Sequence, residues 1–255
     1  MFVDSHCHIL SGLDDGAQSL EDAVLMARIA IQSGIDTIIA TPHHGNGMYV
    51  NASHRIRTGV EMLNAELRRL DLAVQILPGQ EIAWSSSLLE ELDENQLVPL
   101  NDTGYLLLEL PDHEVPKRLE DFLYELQLRG LTTVIAHPER NSAIIDRPDT
   151  AERLVEQGAV LQLAAGSVIG RFGAKARRTS YKLCAKGLVH LIASDGHNNR
   201  TRCIASLIEA YRLLERKFGI ALVDAYRYNA RCLIHNEDML RQAPYDKKRW
   251  YQTWR

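Results

Sequence analysis

An α/β fold with a mostly parallel sheet is what this sequence predicts, on three observations. Short apolar or β-branched runs alternate with helix-period segments along the whole chain. Seven such runs can be counted, and six of them deliver a histidine or a carboxylate at or just past their C-terminal end. Seven buried strands with helices outside them fit a closed or nearly closed barrel, and an open doubly wound sheet satisfies the same periodicity.

The elements follow in order. The run Phe2–Ile9 leads to a helix with Leu20, Ala23, Val24, Ala27 and Ala30 on one face. Ser19 is its N-cap, Asp22 its first-turn acid and Gly34 its stop. The run Asp36–Thr41 precedes helical spacing over 52–70, and the runs Ala73–Ile82 and Tyr105–Leu110 precede a helix over 116–129. Thr132–His137 is followed by a helix over 149–157, Val160–Ala165 by one over 174–186, and Val189–Ser194 by one over 201–217. The stretch 220–241 is helical with a break. No Gly/Ser linker, low-complexity tract or repeat marks a boundary, so residues 1–255 read as a single domain. The terminal segment Asp246–Arg255 (DKKRWYQTWR) is basic and aromatic, suited to docking its two Trp on the body or a neighbouring subunit, or to a partner.

Composition narrows the function. Twenty-nine Lys and Arg against 33 Asp and Glu give a formal charge of −4, which argues against a nucleic-acid binder driven by bulk charge. No apolar run approaches the ~18 residues of a membrane span, and the start MFVDSHCHIL lacks the basic and apolar regions of a signal peptide. The four cysteines, Cys7, Cys184, Cys203 and Cys232, have no CxxC spacing and read as reduced thiols, pointing to the cytoplasm.

The strand ends carry the chemistry. They present His6-Cys7-His8, Thr41-Pro42-His43-His44, Glu81, Glu109, His137-Pro138-Glu139-Arg140 and Asp195-Gly196-His197. In a parallel barrel these ends share one mouth, where the active site is built. Alternation along a strand puts His6 and His8 on one side and Cys7 on the other, where the thiol packs inertly. Asp195 and His197 repeat that spacing. The candidate metal ligands are therefore His6, His8, Asp14, His43, Glu81, Glu109, His137, Asp195 and His197, an all-N/O set that suits two or three divalent cations, with Mn, Fe or Zn favoured over Ca.

Clustered divalent ions activate water for phosphoryl displacement, and arginines at the rim hold the non-bridging oxygens. Arg140, Arg200 and Arg202 follow the ligands closely enough to project over the mouth, and Arg171 in the loop Gly170–Gly173 is a weaker candidate. A C-x5-R thiol phosphatase is excluded, because the positions six beyond the cysteines are Leu13, His190, Glu209 and Asp238. No G-x-S-x-G elbow, Walker loop or G-x-G-x-x-G is present.

The ordered set Asp4-Ser-His-Cys-His, Asp14-Asp15-Gly16, Ala40-Thr-Pro-His-His44, Gly79-Gln-Glu81, Ala136-His-Pro-Glu-Arg140 and Ala193-Ser-Asp-Gly-His-Asn198 resembles the PHP (polymerase and histidinol phosphatase) superfamily, and within it the CpsB/YwqE group of bacterial tyrosine-protein phosphatases, over residues 2 to about 235. The resemblance implies a distorted (β/α)7 barrel and a trinuclear site often supplied with Mn, with Fe, Zn or Mg as alternatives. It also implies hydrolysis of phosphotyrosine on a tyrosine autokinase that controls capsule or exopolysaccharide synthesis. By position it makes the nine groups above the ligands, and Arg140 and Arg202 the phosphate-binding residues. The short stretch after His197, with its extra Arg200, leaves the choice between Arg200 and Arg202 open. His44 is a possible proton donor, and Met48 and Tyr49 possible ring contacts. The rivals are a small-metabolite PHP phosphoesterase, for instance one acting on histidinol phosphate, a TatD-like nuclease, and a metal-stabilised interaction module.

Overall fold

The computed structural model describes residues 2–240. In chain order its strands are β1 (Val3–Cys7), β2 (Thr37–Ala40), β3 (His43–His44), β4 (Gln75–Pro78), β5 (Glu81–Ala83), β6 (Tyr105–Glu109), β7 (Thr132–Ala136), β8 (Val160–Ala164) and β9 (Leu191–Ala193). All their pairings are parallel, in the orders β1-β2-β4 and β3-β5-β6-β7-β8-β9. The two sheets are parts of one wall. β2 runs on into β3 across Thr41-Pro42, where proline removes a ladder donor. β4 runs on into β5 across Gly79-Gln80, and a Cβ at Gly79 would meet Ile39 Cγ2 at 2.7 Å. The ring closes between β1 and β9, where Asp195 N–H donates to His6 O at 3.0 Å and His8 N–H to Gly196 O at 2.8 Å. Seven strand paths thus form the barrel, and the open-sheet alternative falls.

The helices are α1 (Leu20–Gln32), α2 (Ser53–Arg69), α3 (Leu88–Asp93), α4 (Leu119–Leu128), α5 (Ser142–Asp146), α6 (Asp149–Glu156), α7 (Ala165–Ile169), α8 (Gly173–Ala185), α9 (Ser206–Phe218) and α10 (Ile220–His235). Ser19 caps α1 by accepting from Asp22 N–H at 3.2 Å, as its sequence suggests. α9 begins at Ser206 rather than near 201 because the Asn198 side chain accepts from the backbone N–H groups of Arg200, Thr201 and Arg202 and holds them in a loop. The short helices α3, α5 and α7 have too few turns for periodicity to show them. The segment Asp246–Arg255 lies outside the described residues. Among the described residues no helix is long and apolar enough to cross a membrane.

Two apolar cores result. The larger lies between the barrel wall and the outer helices. The smaller fills the lower barrel, with Val3, Ile39, Tyr105, Leu107, Val134, Val160 and Leu191 contributed by successive strands and Leu77 packed beside them. Ala230 and Leu233 of α10 close it from below. Each fully buried Val or Leu there stabilises the fold by about 1.5–3 kcal/mol.

Candidate metal centre

Above the small core the interior turns polar. β1 shows how. Val3 faces the barrel interior, in its apolar layer, and His6 three residues later faces the interior too, in its polar layer, a spacing that a regular strand does not allow. A register irregularity between Asp4 and Cys7 resolves it. Asp4 then points outward and accepts from Ser194 N–H at 2.9 Å and Ser194 Oγ at 2.5 Å, locking β1 to the end of β9. Cys7 is fully buried on the outer side, its thiol against Gly196 O at 3.3 Å, and burial pushes its pKa up.

The imidazoles and carboxylates converge on Glu81. Its Oε2 lies 3.2 Å from His6 Nε2, 3.2 Å from His8 Nε2 and 3.1 Å from His43 Nδ1, and its Oε1 is 2.8 Å from His137 Nε2. His6 Nε2 and His8 Nε2 are 3.1 Å apart. Asp195 Oδ1 stands 3.7 Å from His6 Nε2 and 3.6 Å from His8 Nε2. Glu109 lies 3.7 Å from both His43 and His137. His137 and Asp195 take left-handed backbone angles, φ 31° and 51°, which turn their side chains into the mouth as the strands end.

Asp14 occupies a different place from the one its sequence position suggests. Its Oδ2 sits 2.6 Å from His8 Nδ1 and accepts from His43 N–H at 3.0 Å, while Oδ1 accepts from Gly16 N–H at 2.9 Å. It fixes His8 from behind. The neighbouring Asp15 reaches the mouth, with Oδ1 at 3.4 Å from His197 Nε2 and 3.6 Å from His43 Nε2. Among the described residues three groupings have the geometry to hold a cation: His8, Asp15, His43 and His197; His6, His8 and Glu81; and His43, Glu81 and Glu109. Sequence reasoning passed over Asp15, because strand alternation gives no guidance inside the Asp14-Asp15-Gly16 loop. That loop lies so close to β1 that a Cβ at Gly16 would fall 2.0 Å from His8 O.

A further layer aims the imidazoles. Gln162 Oε1 is 2.9 Å from His6 Nδ1, Asp14 holds His8 Nδ1, and Asp195 O lies 3.0 Å from His197 Nδ1. Each partner accepts from Nδ1–H and leaves Nε2 with its lone pair toward the mouth, the arrangement typical of metal-bound histidine. Gln162, a neutral residue within a strand, gave no sequence signal.

The electrostatics suit cations. Glu81 Oε2, His43 Nδ1 and His197 Nε2 are buried without a hydrogen-bond partner among the described residues. Burial and then the charge of Glu81 push the Glu109 carboxyl up to about 8. Burial, followed by the neighbouring His8, pulls His197 down to about 4. These groups repel and compete for protons, and divalent cations would relieve both effects. The residues present fit a metal site of imidazole and carboxylate donors.

Two arginines flank it. Arg140 Nη1 donates to Asp195 Oδ2 at 3.0 Å and Arg202 Nη2 to Asp195 Oδ1 at 2.7 Å. Arg200 is exposed, and its side chain makes no hydrogen bond or ion pair with the mouth among the described residues. Arg171 is turned to Thr201 O at 2.9 Å. His44 is buried and faces away, between Asn51 and Glu91, so it is not placed to give a proton to a substrate in the mouth. Tyr49 lies parallel to the His43 ring at 6.2 Å, and Met48 is exposed. Beside the ligands opens a cavity of about 440 Å³ lined by His43, Trp84, Glu109, Leu110, Asp112 and Arg140.

Comparison with known proteins agrees with this geometry. Residues 2–235 match the family model described as capsular polysaccharide synthesis, CpsB/CapC. The chain is 43% identical over 247 residues to tyrosine-protein phosphatase YwqE of Bacillus subtilis, covering 97% of each chain. It is 34% identical to the putative tyrosine-protein phosphatase CapC of Staphylococcus aureus, covering 98% of each. A solved structure from work on YwqE of Bacillus subtilis and CpsB of Streptococcus pneumoniae, described as unique metal-dependent tyrosine phosphatases, superposes with a TM-score of 0.91 at 43% identity, over 95% of this chain and 98% of that one. The barrel, its ring of donors and these likenesses together place the chain in the CpsB/CapC family of capsular polysaccharide synthesis.

Proposed function

We propose that this chain is a metal-dependent protein-tyrosine phosphatase of capsule or exopolysaccharide synthesis, acting in the cytoplasm on a phosphotyrosine-bearing autokinase. The observation that carries the reading is the buried ring of imidazoles and carboxylates around Glu81 with two guanidiniums converging on Asp195 at its edge. We assign metal binding to His6, His8, Asp15, His43, Glu81, Glu109, His137, Asp195 and His197, with Asp14 holding His8, and expect two or three ions, Mn first among them. Bound cations would polarise the phosphoryl group and lower the pKa of water beside it.

The chain's own residues do the rest. Arg140 and Arg202 offer planar forked donors that fit non-bridging phosphate oxygens and stabilise the charge that builds on them during in-line attack. Phe172, with its ring centroid 4.7 Å from the Arg140 guanidinium carbon, supports that side chain. Trp84 and Leu110 give the neighbouring cavity an apolar wall for an aryl ring. Phenolate is a good leaving group, so the placement of His44 away from the mouth costs the reaction little.

The test is hydrolysis of a phosphotyrosine peptide beside histidinol phosphate, by chelated protein with Mn restored. Metal-dependent turnover favouring the peptide is expected. Preference for histidinol phosphate would move the function to small-molecule metabolism with the same site.

A further inference from the structure

A second concave feature lies beside the mouth. A groove of about 470 Å³ runs between Ile169-Gly170, the outer face of α8 and the end of α9. Tyr181 forms its floor, half-buried, its hydroxyl donating to Val168 O at 3.2 Å. Arg177 and Lys217 lie over the Tyr181 ring, at 5.5 and 5.2 Å from its centroid, and Arg178 and Lys182 stand exposed on the rim.

The charge is out of keeping with the chain. α8, GAKARRTSYKLCA, has four cations and no acid in a protein of net charge −4. Among the described residues no carboxylate lies within ion-pair distance of Arg177, Arg178 or Lys182. Lys186, just beyond the helix, shows the usual arrangement, held by Asp149 at 2.7 Å and Glu152 at 2.8 Å. The groove and the mouth also share one loop. Gly170 lines the groove, while Phe172, two residues on, packs on Arg140.

We propose that this groove docks an acidic segment flanking the phosphotyrosine of the phosphoprotein substrate, an inference that rests on the phosphatase reading of the mouth. The loop that the mouth and the groove share gives an extended chain a path from one to the other over the turn at Arg171. There its carboxylates meet Arg177, Arg178 and Lys182, which have no carboxylate partner among the described residues, and its apolar groups meet Tyr181. A concave, aromatic-floored channel suits a peptide better than it suits a flat membrane surface. Rim charges act mainly on encounter and affinity, so the effect belongs in KM and weakens with salt.

The test is the double variant Arg178→Glu/Lys182→Glu, both positions exposed, checked for an unchanged melting temperature. Three substrates are compared: a phosphotyrosine peptide with acidic flanks, the same peptide with neutral flanks, and p-nitrophenyl phosphate. We expect KM to rise roughly tenfold for the acidic peptide alone, with kcat unchanged and the difference shrinking at high salt. An equal loss on all three substrates, or no change on the acidic peptide, overturns the docking site while leaving the phosphatase reading intact. Failure of the unaltered protein on all three would sink that reading and this inference with it. Binding to phosphatidylserine vesicles that the variant loses, with KM for the acidic peptide unchanged, would give the groove to a membrane and overturn the proposal.

Discussion

The lower end of the barrel interior is filled by Val3, Ile39, Leu107, Val134 and Leu191 and sealed by Ala230 and Leu233 of the last helix. The upper end, a few residues further along the same strand paths, holds His6, Glu81, Glu109, His137 and Asp195. On β6 the change takes one step of the alternation, from Leu107 to Glu109, and on the path through β9 it takes two, from Leu191 to Asp195. The lower end follows every rule of a stable core. The upper end breaks them, with crowded carboxylates, orphaned buried donor atoms and two left-handed strand ends. Local rules fail where function is built, and the intact lower layer carries the cost.

The sharpest way to break this comparison is at Glu81, whose oxygens touch four imidazoles. Glu81→Gln keeps the volume and removes the charge. It should lower kcat/KM on a phosphotyrosine peptide by roughly a thousandfold and reduce bound metal, with the fold retained. Metal content by mass spectrometry beside circular dichroism checks both. A variant that keeps its metal and its rate would show that the upper end is only a polar core.

At the rim the expected effect is somewhat smaller and of a different kind. Arg140→Ala should cost about 10²–10³ in kcat/KM with metal content unchanged, whereas Arg200→Ala should stay near the unaltered protein. Equal losses in the two variants would mean that the loop after His197 rearranges on binding substrate and that the geometry around Asp195 misleads.

The lower end should respond in the opposite currency. Leu107 is fully buried, so Leu107→Ala removes its contacts and leaves a cavity, for about 2–5 kcal/mol. Thermal melting should fall while kcat/KM at moderate temperature stays within about twofold, since a chain this size loses about 2–4 °C per kcal/mol. A large loss of rate without a loss of stability would show that the two ends are coupled rather than layered.

How much of this the sequence disclosed depends on which kind of position is asked about. His6 and His8 were legible because a spacing of two on a strand has one meaning, and Glu81, Glu109 and Asp195 because a carboxylate closing an apolar run is costly without a purpose. Strand-end position also brought Arg140 to the mouth. Loops were the weak point. Asp14 and Asp15 differ by one residue, and only the fold shows which faces His8 from behind and which faces His197. Arg200 and Arg202 are separated by a turn built on Asn198, a side-chain–backbone effect that periodicity does not register. The kink at Gly79 was likewise hidden inside the run Ala73–Ile82, which reads as continuous, and the run Asp36–Thr41 stops short of Pro42, so the strand His43–His44 beyond that kink did not show.

Gln162 marks the boundary between the two ends and gives the mildest test. Its Nε2–H donates to Ser5 Oγ at 3.0 Å and its Oε1 accepts from His6 Nδ1–H at 2.9 Å, with Val160 in the apolar layer one step below. Gln162→Leu extends that layer upward by one residue. His6 then loses the acceptor that fixes its ring and directs Nε2 to the mouth, so metal affinity should fall by about 10–100-fold. Gln162→Glu restores an acceptor at the same place and should recover most of that affinity. Metal titration of the chelated variants, followed by calorimetry, reads the difference directly. If Gln162→Leu binds metal as the unaltered chain does, packing alone orients His6, and the functional layer begins one residue higher than the hydrogen bonds suggest.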